Sequence, residues 1–242
     1  MNLEEVLNYR RSVRRYDKEK PLDSGKVRHC IELATLAPTS SNMQLWEVYH
    51  IARPELIEKM TRACLDQTTV STASDLVVFV TRQDLFKERA KANIDYEIGN
   101  ILRNSPEERQ IYRIKDRKIY YGTLMPFLYG RFFGLLGFIR KLVVTITGIF
   151  RPIVRQVSEG DMRVVVHKSC GLAAQTFMIA MANEGYDTCP IEGFDSRMIK
   201  KILDLPWGTE INMVVSCGIR KGNEGIWGDR FRIPFKEVYH RL

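Results

Sequence analysis

Apolar positions recur along the chain in two rhythms, one suited to helices and one to strands. Leu3, Val6 and Leu7 fall at helical spacing and predict a short helix that feeds a basic turn around Ser12. Pro21 and Asp23 open a second helix with Val27, Ile31, Ala34 and Leu36 on its apolar side, ended by Pro38, since proline disfavours helix at the residue before it. The polar stretch from Pro38 to Gln44 reads as a loop. Trp46 to Ile51 reads as a strand, Pro54 starts a helix through about Cys64, and Leu76 to Val80 has the length and apolarity of a buried strand. In the second half, residues 168–185 form a mostly apolar helix (Leu172, Phe177, Ile179, Met181) stopped near Gly185, with CPIEGF extended behind it. Asp195 caps a helix that ends before Pro206, and Ile211 to Ile219 is rich in β-formers. The tail, residues 226–242, is too apolar and aromatic to hang free. Helices and strands mix throughout without internal repeat or low-complexity linker, which predicts one α+β domain over residues 1–242. Residues 105–160, apolar and basic, are the only candidate for an inserted, lid-like segment.

Composition narrows the class. Of 242 residues, 37 are Lys or Arg and 29 Asp or Glu, giving +8, and this surplus is local. Residues 82–168 hold 17 basic and 9 acidic side chains, so the rest of the chain is balanced. Residues 117–158 contain no acid but seven cations: Arg117, Lys118, Arg131, Arg140, Lys141, Arg151 and Arg155. They are diluted among Phe, Leu, Ile and Val rather than arranged with stacking aromatics on a recognisable module, so no nucleic-acid partner is expected. The longest uncharged run, the 15 residues from Ser169 to Asn183, is shorter than the ~20 apolar residues of a spanning helix. The start, MNLEEVLNYRRS, has no apolar signal-like region, which leaves the cytoplasm as the expected compartment. Cys30, Cys64, Cys170, Cys189 and Cys217 form no CxxC pair and fit reduced, mostly buried thiols, and no metal site is expected.

The chemistry-bearing stretches have bland readings one at a time. RRSVRR can be a solvated basic turn, PTSSN a helix stop and the GF after PIE a simple turn. In combination they offer guanidinium forks for a phosphate, hydroxyl and amide groups for a polar ring edge, and a glycine that lets backbone approach a ligand. That set suits a phosphorylated aromatic cofactor. Neither GxGxxG nor GxxxxGK[ST] is present to supply another phosphate cradle.

RRSVRRY, LAPTSSNMQLWE, AAQTFMIAMANEGYDTCPIEGFD and DRFRIPFKEV resemble, in the same order and spacing, landmarks of the FMN-dependent nitroreductase family. The likeness covers roughly residues 1–81 and 160–242. It implies a nitroreductase-like fold, a central, mostly antiparallel mixed sheet surrounded by helices, in an intertwined homodimer with FMN at the interface. It further implies that Arg10, Ser12 and Arg14, with Arg11 beside them, hold the FMN phosphate and ring edge, completed by Arg230 and Arg232. Pro38, Thr39, Ser40 and Asn42 would come from the other subunit. Pro190 and Ile191 would pack on the ring, with backbone N–H groups near Glu192 and Gly193 directed at N5, and Gln67 would bond the pyrimidine. The implied reaction is two-step: NAD(P)H reduces the flavin, and a nitroaromatic, quinone or similar small acceptor then takes the electrons, with no side chain nominated as general base. His29, His50, His167 and His240 are scattered and read as surface or packing groups. A related flavin reductase, dehalogenase or dehydrogenase of the same fold, or an FMN-binding protein held at a membrane surface, are the alternatives.

Two substitutions depart from the family pattern, Leu45 for the proline of QPW and Thr176 for the asparagine after AQ. Neither is expected to prevent FMN binding. The larger departure is residues 117–158, where three readings compete. They are a helical hairpin lid in which Phe127, Phe132, Phe133, Leu135 and Phe138 cover the flavin and dimer surface, an amphipathic element peripheral to an anionic membrane, and a cationic patch recruiting an acidic substrate or dinucleotide phosphate.

Overall fold

In a computed structural model describing residues 1–242, a four-stranded sheet forms the centre. Its strands are β1 (Trp46–Ile51), β2 (Asp75–Thr81), β3 (Asp187–Ile191) and β4 (Glu210–Gly218), in the order β1-β2-β4-β3. All three ladders are antiparallel, and the single parallel pairing is an isolated bridge from Ser12 to Thr188. Around the sheet lie α1 (Leu3–Tyr9), α2 (Ser24–Ala34), α3 (Pro54–Ala63), α4 (Thr68–Ser71), α5 (Phe86–Asn104) and α6 (Glu107–Ile119). They are followed by α7 (Met125–Tyr129), α8 (Leu135–Phe150), α9 (Glu159–Asn183), α10 (Ser196–Ile202) and α11 (Phe235–Val238). The α+β expectation of a sheet surrounded by helices therefore holds.

β2 is buried along its whole length, which is why it reads as an unbroken apolar run. Its alternate residues feed two cores. Leu76, Val78 and Val80 pack with Val13, Tyr16, Met60 and Ile199 under α3 and α10, while Val77 and Phe79 pack with Val27, Cys170 and Phe177 under α2 and α9. A third cluster joins Met43, Leu45, Ala90, Tyr121, Met125 and Met162. It ties α5, a π-turn at Tyr120–Leu124 and α7 to the N-terminal half of α9.

Helix ends follow local polar chemistry. The Asp23 carboxylate accepts from the N–H groups of Gly25 at 2.8 Å and Lys26 at 3.3 Å, and Asp195 caps α10 in the same way. Two boundaries differ from expectation. α2 stops at Ala34, and Leu36, assigned to its apolar side, is 77% exposed. α9 begins well before residue 168, because Ser158 and Asp161 close a capping box: Ser158 N–H donates to Asp161 and Asp161 N–H to Ser158 Oγ, both at 3.0 Å. α9 is long and apolar enough, by length and composition alone, to cross a membrane. Here it is the core helix, with Cys170, Ala173, Ala174, Phe177 and Met181 fully buried against the sheet. All five cysteines are buried and unpaired, and burial pushes the thiols up, Cys64 to about 11 and Cys170 to about 12. They are protonated packing groups at neutral pH.

The start of β4 carries an ion cluster. Glu210 accepts from His167 Nε2 at 3.2 Å, from Arg163 Nε, and from Arg131 Nη1 at 3.3 Å. The His167 hydrogen bond and then Arg163 hold its carboxyl down to about 2. A carboxylate whose folded pKa lies below its unfolded value stabilises fully above the unfolded value and loses that contribution as pH falls toward the folded one. Glu210→Gln is therefore expected to lower the melting temperature by about 3–5 °C at pH 7, on the order of 1–2 kcal/mol after allowing for partial solvent exposure. Melts of both proteins between pH 7 and pH 2 check this, since the gap must close across about pH 4.5 to 2.

Candidate functional site

Residues 10–16 leave α1 as an extended segment with two apolar anchors. Val13 is fully buried, and its N–H donates to Thr188 O at 3.2 Å. Tyr16 is 2% exposed and donates its hydroxyl to Ser216 O at 2.9 Å. On the other flank, Arg14 N–H donates to Gly225 O at 2.7 Å and Lys221 N–H to Arg15 O at 3.2 Å. Gly225 is required by this approach, because a Cβ there would lie 2.7 Å from Arg15 O. With Val13 and Tyr16 pointing inward, Arg10, Ser12 and Arg14 are left toward solvent along the β3 edge of the sheet.

These residues line a pocket of about 240 Å³ with Arg11, Arg230, Arg232, Asp229, Trp227 and Phe231. Five guanidinium groups meet one carboxylate. The ion pairs close by use other arginines, Arg15 with Glu224 at 3.2 Å and Arg220 with Asp187. Burial, and then the proximity of Arg232 and Arg11, pull the Arg10 pKa down; burial followed by Arg232, Arg10 and Arg11 does the same for Arg230. Five cations crowded against one carboxylate, none of them ion-paired, mark an anion seat. The five are not equivalent. Arg230 donates to Leu7 O at 2.9 Å, Asn8 O at 3.1 Å and Arg10 O, closing the C-terminal turn of α1. Arg11 donates to Gly228 O at 2.7 Å and Arg232 to Phe231 O at 2.7 Å. Arg10 and Arg14 make no side-chain hydrogen bond within the chain, and both line the pocket.

Beside the pocket, β3 carries the PIEG stretch. The extended loop expected behind α9 is in part a strand, reaching Ile191; Pro190 is accommodated because β3 is an edge. Ile191, expected to pack on a ligand ring, has its side chain 3% exposed in the core with Val13 and Ile199. Glu192 and Gly193 are exposed beyond the strand end. Gln67 Nε2 donates to Gly193 O at 2.8 Å and to Cys64 O at 3.0 Å, so its amide nitrogen positions the turn and its carbonyl stays available.

Pro38, Thr39, Ser40 and Asn42 lie elsewhere. Their loop leads into β1, with Ser40 N–H donating to Ser169 Oγ at 3.2 Å and the Asn42 amide bonded to Asn93 at 3.1 Å. Ser41 and Asn42 take left-handed φ of 52°. The loop feeds β1 at one edge of the sheet while the arginines flank β3 at the other, and none of its residues lines the arginine pocket. One chain therefore unites Arg10, Arg11, Ser12, Arg14, Arg230 and Arg232 in one pocket, sets Glu192 and Gly193 just past the end of β3 with Gln67, at the start of α4, bonded to Gly193, and leaves Pro38, Thr39, Ser40 and Asn42 outside that pocket. Leu45 fills the third core cluster, and Thr176 bonds Leu172 O at 2.9 Å within α9. The histidines lie outside the pocket, with His50 paired to Asp75 at 2.6 Å and His29 and His240 on the surface. Gly225 and Asp229 escaped the motif reading. Gly225 matters through a contact across 210 positions of sequence, whereas Asp229 had a signal in standing beside Arg230.

The profile of the Nitroreductase family matches residues 7–219. Protein DrgA of Synechocystis is 25% identical over 220 residues, 91% of this chain and 85% of DrgA. YdgI of Bacillus subtilis, described as a candidate NAD(P)H nitroreductase, is 28% identical over 239 residues, 97% of this chain and 94% of its own. Among solved structures, a candidate nitroreductase of Exiguobacterium sibiricum in complex with FMN superimposes with a TM-score of 0.70 at 20% identity, covering 100% of this chain and 98% of that one.

Proposed function

Because the chain belongs to the nitroreductase family, we propose that it is an NAD(P)H-dependent oxidoreductase that binds FMN in the arginine pocket and reduces nitroaromatics, quinones or similar small acceptors. One observation carries the cofactor assignment: a cluster of five arginines beside β3, none of them in an ion pair and with Asp229 the one carboxylate among them. A phosphate monoester, nearly doubly charged and able to take paired guanidinium bonds, fits that deficit. Arg10 and Arg14 would hold it with unspent donors, Ser12 would add a hydroxyl, and Arg230, committed to α1, would act as the fixed wall. Gln67 braces the Gly193 turn so that backbone at Glu192 and Gly193 can face the ring, and the Gln67 carbonyl can accept from it. Bound FMN supplies hydride acceptance and electron transfer, which asks of the protein only binding, orientation and electrostatics.

The site is completed by a second copy. Pro38–Asn42 do not line the pocket of their own chain, and apolar surface remains open in two places. Leu3, Leu36, Ile179 and Pro38 line an apolar cleft between α1, α2 and α9, and the tail exposes Trp227, Phe231, Ile233 and Phe235. A homodimer with the loop of one chain over the pocket of the other would cover both. The reading is tested by anaerobic stopped-flow mixing of FMN-loaded protein with NADH or NADPH. We expect the flavin absorbance to bleach with at least one of them and to return on adding a nitroaromatic or quinone. Protein that takes up no FMN, or flavin that neither dinucleotide bleaches, would contradict it.

A further inference from the structure

α8 presents to solvent a face that a soluble surface helix does not normally carry. Only Gly137 and Arg140 of its sixteen residues are buried. Gly137 presses on the start of α9, where a Cβ would lie 2.7 Å from Glu159 N. Arg140 reaches inward, Nε donating to Val157 O at 2.7 Å and Nη1 to Phe127 O at 2.6 Å and Gly130 O at 3.0 Å. The Glu159 carboxylate accepts from the N–H groups of Phe132 and Gly134, both at 3.0 Å, which fixes the turn entering α8. The helix is thus pinned along one stripe. On the opposite side Leu135, Phe138, Leu142, Ile146, Ile149 and Phe150 share an arc of about 120° at 3.6 residues per turn. Their exposure runs from 50% for Leu135 to 82% for Phe150. Residues 117–158 contain no carboxylate, and Lys141, Arg151 and Arg155 accompany the arc. At the N-terminal end Phe133 and Trp207, 95% and 92% exposed, line one cleft.

We propose that α8 docks on an anionic lipid surface, lying in the plane of the bilayer with its apolar arc at the headgroup boundary and Lys141, Arg151 and Arg155 at phosphate level. Sixteen residues span about 24 Å, less than the ~30 Å hydrocarbon core, and the pinned stripe keeps the helix on the protein, so it lies on the membrane without crossing it. A second copy is the poorer occupant. An isologous contact through this arc would gather the three cations of both copies into one interface, with no acid on residues 117–158 to neutralise them. The exposed Trp and Phe are residue types that settle at lipid–water boundaries.

The full-length protein is floated with vesicles of phosphatidylcholine alone and of phosphatidylcholine with phosphatidylglycerol, at low and high salt. We expect about tenfold or greater enrichment on the anionic vesicles at low salt and a fall at high salt. Phe138→Ser with Ile149→Ser should lose the binding, as should Lys141→Glu with Arg151→Glu, whose exposed positions leave folding intact; an unshifted melting temperature checks both. Wild-type protein that ignores anionic vesicles at low salt overturns the proposal, as does undiminished binding by the two folded variants. Light scattering supplies the remaining adverse outcome: a vesicle-indifferent wild type whose Phe138→Ser/Ile149→Ser variant changes oligomeric state would assign the arc to a second copy.

Discussion

Replacing Arg10 and Arg14 together by alanine is expected to weaken FMN binding about a thousandfold while leaving the fold intact. A hydrogen bond to a charged group contributes about 1.5–3 kcal/mol, so two lost guanidinium anchors cost on the order of 4 kcal/mol, or about three decades in Kd. The fold is spared for a specific reason. Neither side chain bonds any group of its own chain, and the charge they add is opposed by Arg11, Arg230 and Arg232. Removing them relieves repulsion in the ligand-free protein. Arg230→Ala should behave oppositely, because it releases the carbonyls of Leu7, Asn8 and Arg10 and loosens the tail from α1. Fluorescence titration with FMN and with riboflavin, which lacks the phosphate, separates the effects. Wild type should prefer FMN strongly, and the double variant should bind the two flavins alike. A double variant that retains the FMN preference would show that the phosphate sits elsewhere.

The arginine motif was legible in sequence because its members lie within five residues and alternate with the apolar anchors Val13 and Tyr16. The same holds for β2, whose short apolar run has the length of a buried strand, and for the Asp23 and Asp195 caps. Legibility failed where the deciding contact is distant. Arg230 reads as one of a basic pair, yet its partners are carbonyls more than 200 positions away. Pro190 argues against a strand unless the strand is known to be an edge, which only the sheet order reveals. The start of α9 was hidden for a local reason. Its first three turns carry Glu159, Asp161, Arg163 and Lys168, and this charge masked the Ser158–Asp161 box. Ile191 shows the limit of transferring a motif residue by residue, since its backbone lies in the PIEG stretch while its side chain belongs to the core.

Two defective chains should restore one flavin site when combined. Arg10→Ala/Arg14→Ala disables the pocket. Ser40→Trp, at an exposed position, is expected to disable the loop that would cover the pocket of a partner. Each homodimer should hold little FMN. In a mixed dimer, purified through different tags on the two chains, one site combines both lesions and the other combines the intact arginines of the Ser40→Trp chain with the intact loop of the double variant. The expected stoichiometry is about one FMN per mixed dimer, because a symmetric dimer builds two equivalent composite sites. The sheet makes this outcome decisive. With β1 and β3 at opposite edges, the loop that feeds β1 does not line the arginine pocket of its own chain. Were each site confined to one chain, both sites of the mixed dimer would carry a lesion and no flavin would be recovered. A mixed dimer without flavin would therefore dismiss the composite site, while leaving the arginine pocket to be judged by the riboflavin comparison.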